Sequence, residues 1–440
     1  MPPTSPVTAE DEVVGICRDL IRIDTSNYGD GSGPGERVAA EHVMGLLTEV
    51  GLDPELFESE PGRASVVVRL EGSDASRPAL VLHGHLDVVP ARAEDWSVDP
   101  FGADEVDGLV WGRGAVDMKD MDAMILAVVR QMAREGRRPA RDVVVAMFAD
   151  EEAGGAQGAR WAVDNRPELF EGASEAISEV GGFSVDAFGT RVYLLQTAEK
   201  GLSWLRLVAE GRAGHGSQVN PDNAVTHLAD AVARLGRHPW PLHLTPTVRA
   251  LLDGVAKLTG LTYDPEDPAA IDALVAALGP ASKFVGATLR NTTNPTQLTA
   301  GYKANVIPGF AEATVDGRFL PGLEEQFLAT VHELAGEHVT VTPLHHDQAL
   351  EVPFSGDLVD RMVDALVAED PDAVVLPYTL SGGTDNKSLA RLGIRGYGFA
   401  PLRLPADLDF AGMFHGVDER VPTDALRFGT RVLDRLLRDC

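Results

Sequence analysis

Short apolar runs that alternate with amphipathic helical patterns constrain the fold of this chain most strongly. Three runs have the length of buried strands: ASVVVRL (64–70), ALVLHGHLD (79–87) and DVVVAMFADEE (142–152). The helical pattern MDAMILAVVRQMAREG (121–136) separates the last two of them. Buried strands that alternate with helices are typical of an α/β fold. We therefore expect a mostly parallel sheet flanked by helices.

The character of the sequence changes near Lys200. There a strand-like stretch, RVYLLQTAEKGLSWLRLVAEG (191–211), precedes the helical pattern NAVTHLADAVARLG (223–236), and the α/β character resumes from about Leu350. The chain of 440 residues is also too long for one ordinary core. We predict a first domain in two parts, residues 1–199 and 350–440, interrupted by a smaller inserted α+β domain, residues 200–349.

The charge balance excludes some partners. The 38 basic and 67 acidic residues give a net charge of −29, which disfavours nucleic acid and anionic membranes. No uninterrupted apolar span approaches the roughly 18 residues of a transmembrane helix. The N-terminal sequence lacks the pattern of a secretory signal, so a cytoplasmic location is expected. The two cysteines lie far apart and do not indicate a disulfide framework.

Polar residues stand at the end of the second apolar run. In an extended strand, residues two apart face the same side, so Asp87 can orient the imidazole of His85, with His83 one step further along. A carboxylate that orients a histidine is typical of metal sites. Capped histidines at a strand end remain an alternative interpretation.

Further acidic residues follow other apolar runs, and open α/β sheets form their ligand sites at the carboxyl ends of strands. Together with His85 they form a set of nitrogen and carboxylate donors: Asp117, Glu151, Glu152, Glu179 and His415. Such donors suit zinc, with cobalt or manganese as alternatives. Taken singly, adjacent acids after a strand also fit the solvated start of a helix.

A family resemblance connects these donors. Five motifs occur in this order: HGHLDVVP (83–90), WGRGAVDMKD (111–120), FADEEAGG (148–155), SEVGG (178–182) and FHG (414–416). Over nearly the whole chain they resemble the dinuclear zinc peptidases that include carboxypeptidase G, carboxypeptidase S, aminoacylase, acetylornithine deacetylase and succinyl-diaminopimelate desuccinylase. The resemblance implies a catalytic domain built from both ends of the chain and an inserted lid domain that also forms a homodimer.

The resemblance also implies roles for the donors. It makes His85 and Glu179 ligands of one zinc ion, Glu152 and His415 ligands of the other, and Asp117 the bridging carboxylate. The two ions activate a water molecule. Glu151 becomes the general base, Asp87 supports catalysis through His85, and the Asp117–Met118 peptide bond is expected to be cis.

The inserted domain carries motifs of the same family. AGHGSQVNPDNAV (213–225) resembles the lid motif whose histidine, here His215, reaches the active site of the dimer partner and stabilises the oxyanion. NVIPGFAEATVDGR (305–318) resembles the lid strand in which Asn305 and Arg318 contact substrate, and SGGTDN (381–386) resembles a substrate loop containing Gly382 and Gly383. Without the resemblance, these segments read as a loop histidine, a surface strand and a turn.

The expected function is metal-dependent hydrolysis of an amide bond in a peptide or N-acyl amino acid with a free carboxylate. Glu179 agrees better with the carboxypeptidase, aminoacylase and desuccinylase members than with the dipeptidases that place Asp there. One alternative is a deacylase or desuccinylase of a biosynthetic intermediate, which would share every metal ligand. Another is a metal-dependent binding protein without activity, which would have no use for the base Glu151.

Overall fold

The computed structural model describes residues 7–187, 189–276, 278–279 and 282–440 of the chain. Its helices are α1 (Ala9–Arg22), α2 (Arg37–Glu49), α3 (Lys119–Arg134), α4 (Ala159–Asn165), α5 (Ala224–Arg237), α6 (Pro246–Thr259), α7 (Pro268–Ala276), α8 (Ser282–Gly286), α9 (Glu324–Ala335), α10 (Asp357–Glu369), α11 (Asn386–Ala390) and α12 (Thr423–Asp439). None of the described helices combines the length and the apolar character that a membrane span requires.

The strands are β1 (Glu55–Glu58), β2 (Ala64–Leu70), β3 (Ala79–His85), β4 (Glu105–Val106), β5 (Leu109–Trp111), β6 (Val143–Phe148), β7 (Ala173–Ser178), β8 (Phe183–Ala187), β9 (Thr190–Glu199), β10 (Gly201–Glu210), β11 (Gly214–His215), β12 (Thr292–Ala300), β13 (Val306–Ile307), β14 (Phe310–Phe319), β15 (Val339–Asp347), β16 (Leu350–Glu351), β17 (Val374–Leu380), β18 (Arg395–Gly398) and β19 (Arg420–Pro422).

A large mixed sheet forms the centre of the molecule. Its strand order is β1-β2-β6-β3-β7-β18-β9-β16, and β8 and β17 also pair with β9. The central strands β6, β3, β7 and β18 are parallel, as the α/β class predicts. Short connections join β1 to β2 and β8 to β9, which forces these neighbours to be antiparallel. The α/β class is confirmed, and the sheet is mixed rather than mostly parallel throughout.

Helices cover both faces of this sheet. Alternate residues of β3 point to opposite faces, so Leu80 and Leu82 pack in the main core while Val81 packs in a smaller core on the other side. Helices α1, α3 and α12 contact one another and contribute to the main core. Because β3 and β6 are apolar on both sides, they take central positions in the sheet.

The inserted domain has its own sheet and core. Strands β12-β14-β10-β15 form an antiparallel sheet, and α5 and α9 pack on it around a separate apolar cluster. The change from the large sheet to this sheet falls at Lys200, between β9 and β10, where the sequence suggested a boundary.

The helices α6, α7 and α8 depart from the predicted division of the chain. Although they lie within residues 200–349, their apolar side chains join the main core, for example Leu251 and Val255 of α6, a helix that contacts β17. No helix was predicted for this region from the sequence. The helix signal was present, because Thr245 caps α6 and Pro246 occupies its first turn.

Candidate active site

The large sheet brings three of the predicted donor segments to one edge. Strands β6, β3 and β7 are adjacent and parallel, so their carboxyl ends meet at the same edge. His85 ends β3, Glu151 and Glu152 follow β6 in a short turn, and Glu179 follows β7 directly. The apolar runs of the strands therefore position the polar residues that come after them.

Two loops complete the set. Asp117 precedes α3, and the peptide bond between Asp117 and Met118 is cis, as expected. His415 lies in the loop before β19 with a φ of 56°. These loops bring residues from both ends of the chain to the edge of the sheet.

The five predicted ligands form two donor groups that share Asp117. In one group, His85 Nε2 lies 3.2 Å from Asp117 Oδ1 and 3.6 Å from Glu179 Oε2. In the other, His415 Nε2 lies 3.2 Å from Asp117 Oδ2 and 3.1 Å from Glu152 Oε2. The donor atoms within each group lie within 4.8 Å of one another, which suits one metal ion per group.

The charges of the cluster also fit two cations. Burial and the charge of Asp117 raise the pKa of Glu179 to about 8, against the opposing charge of His85. Hydrogen bonds to Asp117 and Glu152 raise the pKa of His415 to about 10. The protonated form of His415 thus offsets part of the repulsion among the carboxylates, a role that divalent cations would take over with release of protons.

Asp87 contacts the cluster differently from the predicted arrangement. His85 Nδ1 lies 2.9 Å from the backbone carbonyl oxygen of Asp87, whereas the nearest carboxylate oxygen is 3.6 Å away. Because a carbonyl only accepts, Nδ1 carries the proton and Nε2 is left for the donor group. The Asp87 carboxylate instead accepts from the backbone N–H groups of Glu151 and Glu152, at 3.0 and 3.1 Å. Asp87 therefore holds the turn that carries both glutamates.

Glu151 lies beside the donor groups without belonging to either. Its side chain lines a cavity of about 350 Å³. Burial, together with the charge of Glu179, raises the pKa of Glu151 well above its usual range. The buried Asp385 also lines this cavity and contributes to the same effect. The carboxylate of Glu151 is thus placed to accept a proton inside the cavity.

The inserted domain supplies the facing wall of the cavity. Arg318 lines it, as do Gly382 and Gly383 of the loop after β17, so three of the predicted substrate contacts come together there. Sequence reasoning missed the following lining residues: Arg160, Trp204, His345, Asp347, Asp385 and Lys387. None of these residues lies in a recognised motif except Asp385, which is part of SGGTDN.

His215 and Asn305 lie elsewhere. His215 ends β11 and Asn305 immediately precedes β13, and both side chains are exposed. The Gly216 N–H donates to the Asn305 carbonyl oxygen at 2.9 Å, and neither His215 nor Asn305 lines the cavity of its own chain. The Ser217 backbone N–H donates to His215 Nδ1 at 3.2 Å, and the Ser217 hydroxyl lies 2.8 Å from the same atom. In the neutral ring, Nε2 therefore carries the proton and remains a donor.

An α/β domain with a lid and two metal-donor groups that share one carboxylate defines a dinuclear metallohydrolase fold. The model of the peptidase family M20/M25/M40 matches residues 81–439. The chain belongs to this family.

Individual relatives agree with that assignment. The N-fatty-acyl-amino acid synthase/hydrolase PM20D1 of Homo sapiens is 29% identical over 385 residues, covering 84% of this chain and 76% of that protein. Aminoacylase-1 of Homo sapiens is 27% identical over 413 residues, covering 88% and 86%. An M20 family metallo-carboxypeptidase of Sulfolobus solfataricus has the same fold, with a TM-score of 0.74, 18% identity and coverage of 98% and 99%.

Proposed function

We propose that this metal-dependent hydrolase cleaves the amide bond of a peptide or N-acyl amino acid that has a free α-carboxylate. The observation that carries the proposal is the position of Glu151, which lines the cavity beside both donor groups and is a member of neither. A protein that only bound metal would have no use for such a carboxylate, which argues against the non-catalytic alternative.

The residues would divide the work as follows. His85 and Glu179 would hold one Zn²⁺, Glu152 and His415 the other, and Asp117 both, with Co²⁺ or Mn²⁺ as alternative metals. When bound, these ions supply Lewis acidity and lower the pKa of water. The Glu151 carboxylate accepts the proton of the attacking water and donates it to the leaving nitrogen. Asp87 keeps Glu151 in place through the backbone N–H groups of the turn.

The substrate class is supported by the cavity and by the relatives. The cavity wall carries the cationic side chains of Arg160, Arg318 and Lys387, which suit a substrate with a negative charge. The names of the two human relatives refer to an N-fatty-acyl-amino acid synthase/hydrolase and to an aminoacylase. A deacylase or desuccinylase of a biosynthetic intermediate would use the same metal donors and differ in the contacts of this wall.

We further propose that the protein is a homodimer in which His215 acts on the active site of the partner. Its exposure, its distance from the cavity lining and its free Nε2 donor support this role for an oxyanion contact. A cytoplasmic location remains a prediction of the sequence.

The test is a metal-reconstitution assay. Chelator-treated protein is supplied separately with Zn²⁺, Co²⁺ or Mn²⁺, and hydrolysis of matched dipeptides and N-acetyl amino acids is measured by release of the free amine. We expect turnover only with metal, and a preference between the two substrate series separates peptidase from aminoacylase activity. Absence of turnover with every metal and both series would contradict the proposal, provided that metal analysis confirms two ions per chain.

A further inference from the structure

Three long cationic side chains line the active-site cavity, and two of them are already paired with carboxylates. Arg318 donates through Nε and a terminal nitrogen to both carboxylate oxygens of Asp316, at 2.7 and 3.1 Å. Arg160 forms an ion pair with Asp347. A guanidinium that is engaged in this way has fewer donors left for a substrate carboxylate.

Lys387 is different. Its side chain lies in α11, is only 5% exposed and reaches the cavity wall. In the described part of the chain no carboxylate oxygen lies within 4.0 Å of its ammonium, and the ammonium donates to one acceptor, the Lys200 carbonyl oxygen, at 2.8 Å. An ammonium has three N–H donors. Two donors of a buried cation therefore remain for a ligand.

The surroundings of Lys387 leave its charge incompletely compensated. Burial lowers the pKa of Lys387, and the more distant carboxylates of Glu199 and Asp347 offset only part of this effect. A buried charge is costly unless it is paired and hydrogen-bonded. An anionic group that entered the cavity would supply the missing partner.

Gly383 gives the ammonium its access. A Cβ atom at Gly383 would lie 2.6 Å from Lys387 Nζ, so the ammonium occupies space that any other residue would fill. Gly383 itself lines the cavity. The family resemblance implies a substrate contact at this glycine, and the structure places a cation directly against it.

We propose that Lys387 is a specificity-determining residue whose ammonium binds the α-carboxylate of the substrate, an inference that rests on the proposed function. The carboxylate accepts the two N–H donors that the Lys200 carbonyl leaves free. This contact would orient the substrate from the large domain.

The test compares Lys387→Met with the wild type on an N-acetyl amino acid and on the corresponding N-acetyl amino acid amide, which lacks the negative charge. A charge-assisted contact predicts a loss of roughly 10- to 100-fold in kcat/KM for the carboxylate substrate, mainly through KM. The amide substrate should change by less than about threefold, because it never made the ionic contact. Lys257→Met, which removes an exposed lysine of α6, is the matched control and should alter neither value.

Each result decides the proposal. An equal loss of kcat/KM on both substrates would mean that Lys387 only supports the structure through the Lys200 carbonyl. An unchanged ratio of kcat/KM between the two substrates would mean that other residues recognise the carboxylate. Should Lys387→Met fail to fold, Gly383→Ala, which displaces the ammonium without removing it, must show the same selective loss. Wild-type protein that hydrolyses neither substrate would refute the proposed function instead. Calorimetric binding of the N-acetyl amino acid, weakened by Lys387→Met, would still test the contact.

Discussion

The metal-donor cluster and the tip of the lid are held in place in different ways. The cluster takes His85, Glu152 and Glu179 from the ends of neighbouring parallel strands. All four histidine–carboxylate contacts of its two groups form within one chain. The lid tip carries His215 on a two-residue strand pair and Asn305 directly before it, both exposed to solvent.

This difference separates the part of the active site that one chain assembles by itself from the part that it does not. The strand ends hold the metal donors and Glu151, the proposed base, in place within one chain. The role proposed for His215 requires a further event, either closure of the lid or approach of a second chain, that brings its imidazole to a reacting group. Variants in the two regions should therefore behave differently in mixtures of chains.

The largest effect is expected in the cluster. Glu151→Gln should lower kcat by at least about 100-fold and leave two metal ions bound, because a positioned general base contributes roughly 10²–10⁴-fold. The neighbouring variant Glu152→Gln is the matched control and should lose metal, since Glu152 Oε2 lies 3.1 Å from His415 Nε2 within a donor group. Metal content by mass spectrometry and kcat on the best substrate are the measurements.

Two results would contradict the assignment of Glu151 as general base and Glu152 as metal ligand. Glu151→Gln that retains more than roughly a tenth of the wild-type kcat would remove the general base from this position. Glu151→Gln that loses metal would make Glu151 a ligand instead.

A smaller effect is expected at the lid tip. His215→Ala should lower kcat roughly 100-fold, the cost of losing one oxyanion donor. Mixing it with Glu151→Ala should restore up to about a quarter of wild-type activity under random exchange, because heterodimers contain one site with an intact base and an intact partner histidine. Subunit exchange is verified separately by mixing differently tagged chains.

Confirmed exchange without recovery of activity would contradict action across the dimer. Nearly full activity of His215→Ala alone would return this residue to the ordinary loop histidine that its sequence context also allows. Recovery of activity in the mixture would show that His215 acts on the active site across the subunit interface.

The sequence predicts the cluster better than the rest of the site, and the reason is physical. Apolar runs predict β3 and β6, and parallel strands share an edge, so the polar residues that follow them must meet. The sequence could not predict that His85 contacts the backbone carbonyl of Asp87 rather than its carboxylate, because this depends on the local path of the chain after β3. No sequence motif indicated the role proposed for Lys387, since the position of its ammonium depends on a hydrogen bond to the Lys200 carbonyl, 187 positions away in the sequence.

The inserted region shows the same limit. The sequence pattern predicted that a second domain begins near Lys200, and Lys200 lies between β9 of the large sheet and β10 of the smaller sheet. It did not predict that α6 to α8 pack on the large domain, because an amphipathic helix does not specify which of two cores it will cover. The family resemblance supplied roles for His215 and Asn305 that a single chain does not bring to the cavity.

The smallest effect is expected at Ser217, which tests how the lid histidine is oriented. The Ser217 hydroxyl lies 2.8 Å from His215 Nδ1, and the Ser217 backbone N–H donates to the same atom, so Nε2 is kept as the outward donor. Ser217→Ala removes one exposed hydrogen bond and leaves the backbone contact, which predicts a loss of roughly fivefold in kcat. In the His215→Ala background the same substitution should have no further effect, because the imidazole that it orients is absent. An equal loss in both backgrounds would mean that Ser217 acts on the loop rather than on the histidine, and the lid tip would then depend on backbone shape alone.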